Sequence, residues 1–214
     1  MKKTNDYLII LNTVFVMSLL VANIVGGKVV SIIGLTVPAA VVSYAITFLC
    51  TDIINELWGK KEANKTVKLG LVIQLFSLVL ILIAIALPPA EFAQDYNSMF
   101  KIVLGQNVRM VVASLVAYLV SQANDVFLFN YLKRLTKGAH KWIRNNVSTM
   151  TSQAIDTAIF ITIAFYGQVP NLMWMIVSQY IIKFILALLD TPFFYYLTRE
   201  NKQSDVSRVG GDIM

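Results

Sequence analysis

The sequence predicts an all-α integral membrane protein of six transmembrane helices, with both ends on the cytoplasmic side. Three observations carry this. The 214 residues are 57% hydrophobic and only 14% charged, with a mean hydropathy of +0.67, far from the roughly 25% charged residues of soluble domains. Apolar runs long enough to cross a hydrocarbon core of about 30 Å recur along almost the whole chain. The basic residues fall in alternate connections, as topology demands and nucleic-acid binding does not.

The spans follow from apolar length and from the residues that interrupt it. Tyr7 to Gly27 is the first; Lys2 and Lys3 precede it, but it exceeds the apolar region of a signal peptide and lacks a small-residue cleavage site, so it is expected to be retained. Gly34 and Pro38 punctuate the connection to the second, Pro38 to Trp58. Val67 to Leu87 is the third, ended by Pro88-Pro89. Arg109 to Leu132 and Ser148 to Tyr166 are the fourth and fifth, and Gly167 with Pro170 separates the fifth from the sixth, Leu172 to Leu197. Residues 1–198 form the transmembrane domain; the polar segment from 199 to 214 is expected to be a cytoplasmic tail too polar to fold alone.

Fourteen Lys and Arg fall on the side of the N-terminus, the loops after the second and fourth spans and the tail. Lys28, Lys101 and Arg109 fall on the other, and Lys183 lies inside the sixth span. The positive-inside rule makes the first side cytoplasmic. In the outer loop 88–106, Phe92, Tyr96, Met99, Phe100 and Val103 recur at helical spacing, as in a short helix lying in the membrane interface, acting as a connector or a gate. The single Cys50 sits in an apolar run and is expected to pack there. His140 has no Cys, Asp or Glu at ligand spacing, and no metal or cofactor is implied.

An ionisable group within hydrocarbon must be paired, hydrated or neutralised, since an Asp or Lys at a helix centre is unfavourable by roughly 2.5–3.5 kcal/mol. Asp52, Glu56, Asp125, Asp156, Lys183 and Asp190 are therefore functional candidates. Counting residues from each span's middle puts Asp156 and Lys183 near the midplane and Asp52, Asp125 and Asp190 progressively toward the cytoplasm. Lys183 needs a carboxylate partner, with Asp156 or Asp52 at suitable depth. Ser121-Gln122-Ala123-Asn124-Asp125 in the fourth span is echoed by Ser152-Gln153-Ala154-Ile155-Asp156 in the fifth. On a helix each Ser, Gln and Asp share one face, so the two triads either face each other across a central site or tie the helices together. Asp190 precedes Pro192 by two residues, marking either a kinked helix with a freed carbonyl or a helix end.

Carboxylates with amides, hydroxyls and aromatics at mid-membrane suit a flat, polar solute rich in hydrogen-bond donors, with Tyr44 or Phe48 as a stacking face. Other motifs then fall into one order: Ala22-Asn23-Ile24 with Lys28, Thr36-Val37-Pro38-Ala39, Phe48 with Asp52, Glu56 and Trp58-Gly59, Arg109, Ala117-Tyr118 with Ser121-Gln122 and Asp125, Trp142 with Arg144-Asn145, Ser152-Gln153 with Asp156-Thr157, Lys183, and Asp190-Thr191-Pro192. In these the chain, from about Tyr7 to Arg199, resembles the queuosine precursor transporter (vitamin uptake transporter) family. It departs from the family pattern at Ala40, Tyr44-Ala45 and Trp58.

The resemblance implies a multi-pass protein of the bacterial inner membrane, not an enzyme, that imports 7-deazaguanines such as 7-cyano-7-deazaguanine, 7-aminomethyl-7-deazaguanine or queuine for tRNA modification. The substrate-binding set it implies is Asn23, Tyr44, Phe48, Asp52, Gln122, Asp125, Gln153, Asp156, Lys183 and Asp190, with Glu56 and Arg144 at the cytoplasmic mouth and Asp125 or Asp156 carrying protons if transport is proton-coupled. The partners are the small-molecule solute and the bilayer, with no nucleic acid, and a homodimer is compatible. No glycine-rich phosphate loop exists, so the chain holds no ATPase of its own. The alternative is a substrate-binding subunit of an energy-coupling-factor vitamin importer, docked through the small residues Ser18 and Ala22.

Overall fold

The computed structural model describes residues 4–135 and 141–198, and within these helices the side chains of Asp125, Arg144 and Asp190 fall outside the description. Expectations resting on those side chains, on Lys2, Lys3 and His140, and on the tail 199–214 likewise fall outside it.

Six long helices make up nearly all of the described chain: α1 Asn5–Val25, α2 Val41–Trp58, α3 Lys60–Ala86, α4 Gln94–Leu135, α5 Lys141–Phe165 and α6 Leu172–Thr198. Four segments are long and apolar enough to cross a membrane: Asn5–Val25, Val41–Trp58, Lys60–Ala86 and Glu91–Asn124. Shorter apolar stretches, Met150–Phe165 and Leu172–Leu186, lie within α5 and α6. The result is a helical, multi-pass membrane protein. Many large apolar side chains face outward, Ile9, Val72, Phe76 and Leu119 among them, as a bilayer-facing surface requires.

Three local features depart from the expected spans. The connection after α1 is a two-stranded antiparallel hairpin, β1 Val29–Ile32 and β2 Leu35–Pro38. Its tip is Ile33-Gly34, with both residues at positive φ (52° and 79°), the backbone of a tight two-residue hairpin turn. This segment is rich in β-branched residues, so hairpin pairing satisfies its backbone before α2 begins at Val41.

Between α2 and α3 the chain reverses at Gly59 alone, whose φ of 86° only glycine adopts freely. Helix α3 therefore starts at Lys60, and the basic connection 60–66 is helical. The helix expected in 88–106 is present, but as a 3-10 turn, Glu91–Ala93, continuous with the first turns of α4 and not as a separate element. At 42 residues and about 1.5 Å per residue, α4 is roughly 63 Å long, twice a hydrocarbon core, so it projects beyond the bilayer.

Three core clusters among the described residues hold the elements, the smallest joining Val37 of β2, Val41 of α2 and Ile182 of α6. Leu11 and Phe15 of α1 pack on Cys50, Ile53, Ile54 and Leu57 of α2, the packing role expected of Cys50. Met110, Ala113 and Ala117 of α4 pack against Phe160, Ile161, Ala164 and Phe165 of α5 and Met175 of α6. The alanines at i and i+4 let α4 and α5 approach closely. Ser18 and Ala22 are buried within the chain, so the small-residue face of α1 is occupied internally. Helix α6 continues past Pro192 to Thr198 rather than ending there.

Polar ties close the α4–α5 pair at the C-terminal end of α5. Arg109 donates from Nε to the carbonyl of Ile163 (2.6 Å) and from Nη2 to that of Tyr166 (2.8 Å). These are carbonyls at the C-terminal end of α5, where the helix itself offers no donor and the dipole favours a cation. Gln106 and Gln168 exchange amide hydrogen bonds of 3.0 and 2.9 Å. The hairpin is tied to α6 by Trp174 Nε1, which donates to the Gly34 carbonyl at 3.3 Å.

Candidate functional site

All six helices converge on one cavity of about 370 Å³, the size of small-ligand sites. Each helix contributes residues at helical spacing, and hence one face: Phe15 and Leu19 from α1; Tyr44, Thr47, Phe48 and Thr51 from α2; Val67, Leu71 and Gln74 from α3. The other half is lined by Ser114, Tyr118, Ser121 and Gln122 of α4, Ser152, Gln153, Asp156 and Phe160 of α5, and Gln179 and Lys183 of α6.

The charged feature of the described lining is an ion pair. Lys183 Nζ donates to Asp156 Oδ2 at 3.0 Å and to Thr157 Oγ1 at 3.0 Å, and the Thr157 hydroxyl donates to the Gln153 carbonyl at 2.8 Å. Of the two carboxylates the sequence offers Lys183, the structure pairs it with Asp156. The ammonium is held by two oxygens from successive residues of α5, which fixes the register of α5 against α6.

The repeated Ser-Gln motifs of α4 and α5 do meet. Ser121, Gln122, Ser152, Gln153 and Asp156 all line the cavity, and Asn124 Nδ2 donates to Ser152 Oγ at 3.2 Å across the two helices. One member of the repeat thus binds helix to helix, while the glutamines face the cavity.

Tyr44 and Phe48 lie on the wall as expected. Asp52 and Asn23 are not among the described lining residues. Asp52 is exposed and lies about 100° round α2 from Thr51, which takes the lining position. Asn23 is buried and its amide donates to the Leu19 carbonyl at 3.0 Å. Glu56, a turn beyond Asp52, is exposed.

The structure adds polar residues that sequence reasoning passed over. Gln74 is 2% exposed and donates from Nε2 to Ser114 Oγ at 2.7 Å, while Ser114 donates onward to the Val111 carbonyl at 2.9 Å. A lone amide in the apolar run of α3 was the available signal. Gln179 stands one turn before Lys183 and so shares its face. Thr47 and Thr51 donate to carbonyls of their own helix, leaving their oxygens able to accept.

Helices that converge on a polar, ion-paired cavity within a multi-pass membrane protein define a small-solute transporter. A family model described as "Putative vitamin uptake transporter" matches residues 38–197, and the chain belongs to that family. A "Probable queuosine precursor transporter" of Bacillus subtilis (strain 168) is 33% identical over 177 residues, covering 81% of this chain and 77% of the relative. A second protein of that name, from Haemophilus influenzae, is 29% identical over 124 residues, covering 58% of this chain and 50% of the relative. No solved structure matches the chain at a significant level.

Proposed function

We propose that this transporter imports 7-deazaguanine precursors of queuosine, such as 7-cyano-7-deazaguanine, 7-aminomethyl-7-deazaguanine or queuine, across the bacterial inner membrane as an autonomous carrier. The observation that carries this reading is the Asp156–Lys183 pair in a cavity lined by all six helices. A carboxylate accepts two parallel bonds from the ring N–H and exocyclic amine of a guanine-type ring. The ammonium and the amides of Gln122 and Gln153 supply donors for its carbonyl and ring nitrogens, and Tyr44 and Phe48 offer aromatic faces for stacking. The names of the two curated relatives support the same solute class.

The topology that goes with this reading is six spans with both ends cytoplasmic. Helices α5 and α6, of 25 and 27 residues, reach roughly 38 Å or more, long enough to cross, and the basic residues supply the orientation. Proton coupling would act through Asp156 or Asp125, because a carboxylate that releases its ammonium partner can take up a proton instead. The alternative of an importer subunit needs a docking face, and the one proposed on α1 is filled from within the chain.

The test is made in a bacterial strain that cannot synthesise 7-deazaguanines and has lost its own precursor uptake. Expression of this chain is expected to restore queuosine in tRNA when 7-cyano-7-deazaguanine is supplied; no restoration, with the protein present in the membrane, would contradict the proposal.

A further inference from the structure

Two oxygens of α5 hold the Lys183 ammonium, and they differ in what can reach them. The Asp156 carboxylate lines the cavity with 28% of its side chain exposed, so a solute there meets it. Thr157 is 1% exposed and is not among the lining residues, so no solute competes for its hydroxyl. The polarity of that hydroxyl is forced. The Gln153 carbonyl, 2.8 Å away, only accepts, and the ammonium, 3.0 Å away, only donates. The Thr157 proton therefore goes to the carbonyl, and its oxygen is turned to Lys183 as an acceptor. The same carbonyl takes the Thr157 N–H in the ordinary α-helical pattern, so it does not need the hydroxyl as a partner.

We propose that Thr157 is a positioning residue: it keeps the Lys183 ammonium on the cavity wall when a solute draws the Asp156 carboxylate away, so that the pair opens on the carboxylate side alone. This rests on the reading of the cavity as the solute site. Without the hydroxyl, a solute that engages Asp156 strips the ammonium of its last described partner, where an uncompensated charge is unfavourable. Solute affinity then falls.

Two measurements on the purified full chain test this. The first is thermal unfolding in detergent and needs no solute: Thr157→Val, which keeps shape and loses the hydroxyl, is expected to lower the unfolding temperature more in an Asp156→Ala background than in the wild type, because there the hydroxyl holds the ammonium alone. Asp156→Asn serves as the background should the alanine variant not fold. Equal losses in the two backgrounds overturn the assignment and leave Thr157 a residue of helix packing. The second is uptake of labelled 7-cyano-7-deazaguanine by proteoliposomes, where Thr157→Val is expected to raise KM by roughly ten-fold with a much smaller change in turnover, and Thr157→Ser, which restores the acceptor, to bring KM back toward the wild-type value. An unchanged KM in a folded Thr157→Val protein, or a raised one that serine does not rescue, likewise overturns it. No uptake of the probe by the wild-type chain overturns the 7-deazaguanine reading and not the anchor, which the thermal comparison decides by itself.

Discussion

Lys183 Nζ lies 3.0 Å from Asp156 Oδ2, with 19% and 28% of the two side chains exposed. That partial exposure belongs to the cavity, so the pair is a wall feature that a solute can meet. A dry pair would serve packing alone.

Separating the two roles takes a double variant. Asp156→Asn or Lys183→Met alone leaves one polar partner uncompensated and is expected to lower stability by about 1–3 kcal/mol, below the figure for a fully buried pair because the cavity is wet. The pair Asp156→Leu with Lys183→Met removes both charges and is expected to recover much of that stability without recovering uptake. Thermal unfolding in detergent and uptake are read together, and recovered uptake would make the pair purely structural.

Arg109 closes the C-terminal end of α5 through two backbone carbonyls. Arg109→Ala is expected to destabilise by about 2–4 kcal/mol, since hydrogen bonds from charged donors are each worth roughly 1.5–3 kcal/mol and water at the helix end replaces part of the loss. Lysine cannot reproduce the planar fork, so Arg109→Lys is expected to recover less than half of it. Hydrogen exchange at the last turn of α5 is the direct readout.

Gly70 of α3 lets that helix approach α1 closely: a Cβ at this position would sit 2.6 Å from the Phe15 ring and 3.0 Å from Leu19 Cδ2. Both neighbours line the cavity. Gly70→Ala is expected to lose about 1–3 kcal/mol to overpacking and to weaken substrate affinity by pressing Phe15 inward, measured as a raised KM for uptake.

Ile33 holds a φ of 52° at the hairpin tip and is 99% exposed. A β-branched residue is strained there, by about 1–3 kcal/mol. Ile33→Asn, giving the Asn-Gly pair that this turn favours, is expected to raise the unfolding temperature while uptake stays at the wild-type level. An unchanged or lower temperature would contradict the reading of strain.

Much of this architecture is legible in composition and spacing, because hydrocarbon leaves the backbone few solutions. The apolar runs located all six helices, and the repeated Ser-Gln-Ala-x-Asp spacing located the α4 and α5 walls. The depth estimate put Lys183 and Asp156 at one level, and they are paired. Depth carries no azimuth, however: Asp52 sits at a suitable height, but Thr51 and Phe48 face the cavity. The hairpin Val29–Pro38 was masked by its own hydrophobicity, since β-branched strand residues and membrane-span residues look alike when the run is short. Gln74 and Gln179 carry no charge and broke no apolar run; a lone amide in an apolar helix was the one signal, and packing shows that both border the same space.

The most direct measurement is uptake of labelled 7-cyano-7-deazaguanine by proteoliposomes holding this protein alone, with Asp156→Asn alongside. Saturable uptake by the wild-type chain, lost in the variant, is the expected result and establishes an autonomous carrier built around the Asp156–Lys183 wall. Binding without uptake would contradict autonomy and favour the importer-subunit alternative; uptake that persists in Asp156→Asn would place the site elsewhere in the molecule.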